Sequence, residues 1–182
     1  NLAYSNDIES GSQQPSLSDM VRAAIEVLQT NRRGYLLVVD SALATRAAEV
    51  NDGERLIAET LALDRAVRTA LERADENTLI LAVGKLSVGG FSLNGYPFQQ
   101  DRGVALLGTN PAGYPSITWA TGPHGPGAPP SADVQLEPAA HYEPSALHTA
   151  EDVVAAGIGP GSEKLRGFLN NTAIFEIIRD AL

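Results

Sequence analysis

The chain has 182 residues, 43% of them hydrophobic and 19% charged, with a formal net charge of −9; this is the profile of one folded domain, or a large part of one, and not of a disordered chain. Its acidity argues against nucleic-acid binding, which needs clustered Lys and Arg against phosphates. Cysteine is absent, which removes disulfide scaffolds, Cys-ligated zinc and thiol nucleophiles, and no apolar run approaches the ~20 residues of a membrane helix.

The chain opens on Asn1 with no basic-then-apolar leader, so the expectation is a trimmed product whose targeting segment is gone. Residues 1–15 are polar and rich in Gly, Ser and Gln, and read as an extended leading segment with low packing value. Ser16 then stands as a helix N-cap before Leu17, Met20, Val21, Ala24, Ile25 and Leu28, which share one helical face. Gly34 closes the helical stretch. Tyr35–Val39 is uniformly apolar, which predicts a strand covered on both faces, as in a parallel sheet. It ends at Asp40, either an acid at the chemistry-bearing edge of an α/β sheet or the start of a turn.

A second helix is predicted from about Asp52 to Ala74, and a second buried strand over Thr78–Val83. Alternating helices and buried strands predict an α/β fold: three-layer α/β/α with a mostly parallel sheet. Residues 84–147 are rich in Gly and Pro and read as a loop-rich insert carrying a small hairpin, with strands at Val104–Leu107 and Ser116–Thr121. A last buried strand over Asp152–Gly157 and a helix capped by Asn170 or Asn171 complete the expectation, with residues 16–182 as one domain.

His124, His141 and His148 have no compact metal spacing, and a lone loop histidine reads first as a solvated imidazole. The glycines make no phosphate-cradling or nucleophile-elbow pattern. Trp119, in a strand, reads as packing.

The order of segments from Ser16 to Leu182 resembles the C-terminal part of an alkaline phosphatase. The resemblance runs through Pro15–Met20, Arg33–Asp40, Glu59–Val67, Asn77–Val83, Asn94–Pro97, Leu106–Gly108, Gly122–Gly125 and His148–Val153. It implies the C-terminal portion of that three-layer fold, a two-metal phosphoryl transfer and a periplasmic or extracellular setting. Carried over position by position, Asp40 takes the place of the magnesium-binding Glu. Thr45 and Glu49 stand where a zinc-binding Asp and His belong. Lys85 and Leu86 replace the Asp-His pair of the second zinc, and His148 retains the last zinc-binding His.

One ligand is thus intact, one conservatively changed and four lost, although Asp40, Glu49 and His148 remain weak metal candidates. Lys85 either supplies positive charge to a phosphate site without metal or reaches out to solvent. His148, if the cavity has decayed, should be held by a protein hydrogen bond. The resemblance places the nucleophilic Ser outside this chain. The expectation is a degenerate, non-catalytic structural or binding subunit without cofactor, paired with another chain that supplies an N-terminal half. One alternative is a phosphomonoesterase using zinc and magnesium whose missing residues come from that partner. The other is a component of a filament or surface assembly.

Overall fold

A computed structural model describes residues 2–8, 13–94, 113–129 and 137–182. The strand expected at Val104–Leu107 lies outside the described residues. The chain divides into two compact units. The first holds Asn1–Ile8, Ser41–Thr60 and Leu86–Asp152; the second holds Glu9–Asp40, Leu61–Lys85 and Val153–Leu182.

In the second unit, α1 spans Leu17–Leu28. Its start is a full capping box: the Ser16 hydroxyl accepts from the Asp19 amide, and the Asp19 carboxylate accepts from the Ser16 amide. Val21 and Ile25 are buried with Ala66, and Leu17, Leu37 and Ala70 pack around them. Ala66 and Ala70 belong to α3, Gly53–Leu71, whose N-terminal turns lie in the first unit. The last helix, α4 at Asn171–Ala181, is capped by Asn170, whose side chain accepts from the Thr172 amide.

The α/β character stands, with helices and mixed sheets, but strand pairing and burial correct two expectations. First, β1 (Ile80–Val83) pairs with β7 (Ala155–Ile158) antiparallel, with Ile80 opposite Ile158 and Val83 opposite Ala155. The chain leaves β1, passes through the first unit and returns in the opposite direction, so no crossover helix joins the two strands. Second, Tyr35–Val39 forms no ladder with any described residue, and Leu36 and Val38 are 54% and 79% exposed. The last strand is not buried on both faces either: Val154, just before β7, is 80% exposed. These runs are apolar enough for a sheet interior, but the described residues supply no layer to cover them.

The first unit is built around β4 (Ile117–Gly122), which pairs antiparallel with β3 (Ser92–Leu93) and parallel with β5 (Ala139–Tyr142). Ile117 and Trp119 alternate into its core with Ala48, Val88, Ala139 and Ala146. Trp119 therefore packs as expected, with Phe91 edge-on at a centroid distance of 5.0 Å. A second ladder joins β2 (Ser87–Val88) to β6 (His148–Thr149), antiparallel.

The helix α2, Ala42–Glu49, has no counterpart among the sequence expectations. It ends in a Schellman turn, with the Asn51 amide donating to Ala48 and the Asp52 amide to Ala47. Asn51 takes the left-handed conformation this turn requires, at φ +56°. Asp52 then starts α3, its carboxylate accepting from the Arg55 amide at 3.0 Å.

Residues 2–8 of the leading segment make contacts with α3. The Ser5 amide donates to buried Glu59, and Arg55 pairs with Asp7 at 2.9 Å while lying over the Tyr4 ring.

Candidate functional site

Of the six positions singled out by sequence, Asp40 and Lys85 belong to the second unit and Thr45, Glu49, Leu86 and His148 to the first. Asp40 ends the apolar run after Val39, and Lys85 follows β1 by two residues. Between β1 and Lys85, the Gly84 amide donates to the Val154 carbonyl at 2.8 Å, which continues the direction of the ladder. The two side chains meet: the Lys85 ammonium donates to both carboxylate oxygens of Asp40, at 3.3 and 3.2 Å. Both side chains remain largely exposed. Lys85 therefore neither stands alone nor simply reaches into water; it is the counterion of the acid 45 residues before it.

In the first unit, Thr45 and Glu49 lie on α2, both half-buried. The backbone carbonyl of Glu49 accepts from the Ala146 amide at 2.8 Å, which ties the end of α2 to the loop that leads into β6 and His148. Leu86 packs against the core beside Val88 and presents hydrocarbon there. His148 sits on β6 opposite Val88, with an exposed side chain. Among the described residues its imidazole makes no hydrogen bond, so the expected protein partner is not found.

The polar cluster that does form was not singled out by sequence. Ser87 and Thr149, facing each other across β2 and β6, both donate their hydroxyls to Glu151 Oε2. The Ser87 bond, then the Thr149 bond, hold the Glu151 carboxyl below its ordinary pKa. No sequence spacing signalled this cluster, because Ser87 and Glu151 are 64 residues apart. Of the other histidines, His141 is well exposed and lies 3.4 Å from Glu143, but it stands on β5 and not in the loop expected from sequence. His124 departs from that picture, since its Nδ1 is enclosed and has no partner among the described residues.

The resemblance implies a zinc pair with a magnesium beside it, and the donors can be tested for fit. A zinc pair needs several imidazoles and carboxylates converging at ~2.0–2.2 Å. Here one carboxylate already binds an ammonium, one position is a threonine, one a partly buried leucine and one a lysine. No group of three or more His, Asp or Glu placed to hold a metal occurs among the described residues. The donor set does not fit the implied metals.

The alkaline phosphatase family model matches residues 2–114. This chain belongs to the alkaline phosphatase family. It is 26% identical to alkaline phosphatase 4 of Bacillus subtilis over 94% of this chain and 45% of that protein. It is likewise 26% identical to streptomycin-6-phosphate phosphatase of Streptomyces griseus, over 92% of this chain and 35% of that one. The fold matches that of the alkaline phosphatase from the Antarctic bacterium TAB5 with a TM-score of 0.63 at 22% identity, covering 93% of this chain and 41% of that chain. The family chain thus spans less than half the length of these relatives. Among the described residues, no helix is long and apolar enough to cross a membrane.

Proposed function

We propose that this alkaline phosphatase-like chain is a non-catalytic structural or binding subunit, completed by further polypeptide of the same fold and placed in the periplasm or outside the cell. The observation that carries the reading is the substituted donor set. Leu86 has no lone pair and packs, partly buried, against a core, and Lys85 brings a positive charge to Asp40. A dication beside Lys85 is repelled; two unit charges at 4 Å interact by about 4 kcal/mol at an effective dielectric of 20, and a doubly charged ion doubles that. Two metals cannot then stabilise the attacking and leaving oxygens of a phosphoryl transfer.

Completion by further polypeptide is supported by the exposed apolar run at Tyr35–Val39 and by a span of 45% of the B. subtilis relative. An apolar run that joins no ladder among the described residues and exposes its side chains to water is a surface for a partner to cover. Metal content of the purified native assembly, measured after incubation with zinc and magnesium and then desalting, tests the reading. Zinc far below one ion per chain is expected. Stoichiometric zinc would overturn it in favour of a site shared with a partner.

A further inference from the structure

We propose that Lys85 is the resident cation of the Asp40 site: its ammonium occupies the carboxylate in place of a divalent ion and closes Asp40 to Mg²⁺ and Zn²⁺. This rests on the non-catalytic reading above and adds to it, because a missing ligand set leaves an acid free, whereas here the acid is taken.

The geometry points one way. Lys85 Nζ lies 3.3 and 3.2 Å from the two Asp40 oxygens, so one ammonium engages both acceptor atoms of the carboxylate. No other acid is bonded to Lys85 among the described residues, and the pair sums to zero charge. A dication added to it would face a neutral pair with its only cation at contact distance, and would have to displace Lys85 first. Lys85 follows Gly84, whose amide is bonded to Val154, and Asp40 lies three residues after Leu37, which packs against the cluster of Val21, Ile25 and Ala66. The pair is exposed, so the claim concerns occupancy of the carboxylate and not a large gain in stability.

The chain has two lysines, Lys85 and Lys164. Lys164 pairs with Asp180 at 2.8 Å and serves as an internal reference. The test is pulsed labelling of the whole protein with an amine-reactive ester, read per lysine by mass spectrometry. Asp40→Asn should speed Lys85 labelling roughly two- to fivefold, as loss of a surface ion pair allows. Lys164 should be unchanged, and Asp40→Glu should restore the slow rate. Millimolar Mg²⁺ or Zn²⁺ should leave Lys85 labelling in the wild type unaltered. An unchanged Lys85 rate in Asp40→Asn would overturn the pairing and leave the reading of a lost zinc pair intact. A saturable rise of Lys85 labelling with added metal would show the ion displacing Lys85, and would overturn both.

Discussion

At the scale of single residues, the chemistry of this chain lies in carboxylates satisfied by protein donors. Glu151 takes the hydroxyls of Ser87 and Thr149, and these bonds favour its charged form. Its folded pKa is depressed, so its contribution is fully present above the ordinary Glu value of ~4.3 and is lost as pH falls through the lower folded value. Amide-exchange protection across residues 87–88 and 148–149 should decline in that acidic window, and Glu151→Gln should remove the pH dependence. Protection that is flat with pH in the wild type would contradict the assignment.

Gly122 illustrates a different constraint. Its φ is +149°, and a Cβ there would overlap Asn51 Oδ1, while Asn51 is fully buried and donates through Nδ2 to the Thr121 carbonyl at 3.0 Å. Gly122→Ala should therefore destabilise by at least ~1–3 kcal/mol, measured by denaturant unfolding, since an enclosed side chain has no room to yield.

At the scale of elements, the helices with local start signals were legible. Ser16 followed by Asp19 closes a capping box at α1, and Asn170 caps α4. Ser16→Ala should cost about 1 kcal/mol, read from a lowered denaturant midpoint with an unchanged slope; a shift within error would mean that Asp19 alone secures the helix start. The eight-residue α2 was not legible, because Ala42, Ala44, Ala47 and Ala48 give a weak apolar stripe. Its signal was instead the Asn51-Asp52-Gly53 stop and start, which reads only when Asn is recognised as a left-handed cap.

Strand pairing was the least legible feature. The uniform apolarity of Tyr35–Val39 says that burial is needed but not which segment provides it, and antiparallel pairing of β1 with β7 depends on how a long excursion returns. Within the candidate site, family resemblance assigned Asp40 to the magnesium position and Lys85 to the second zinc. Residue chemistry alone did not show that they would satisfy each other.

At the scale of the whole molecule, the exposed run from Tyr35 to Val39, with Val153 and Val154, is the feature a lone chain tolerates least. The chain should self-associate when isolated and become well behaved when a polypeptide carrying the rest of the fold is supplied. A sharp light-scattering peak at 19.1 kDa with cooperative melting of the isolated chain would contradict this. The central claim is that the family's reaction has been lost with its donors, and turnover tests it most directly. The native assembly is assayed with an aryl phosphate at alkaline pH with zinc and magnesium supplied. No metal-dependent hydrolysis above background is expected; metal-dependent turnover that disappears in His148→Ala would contradict the account.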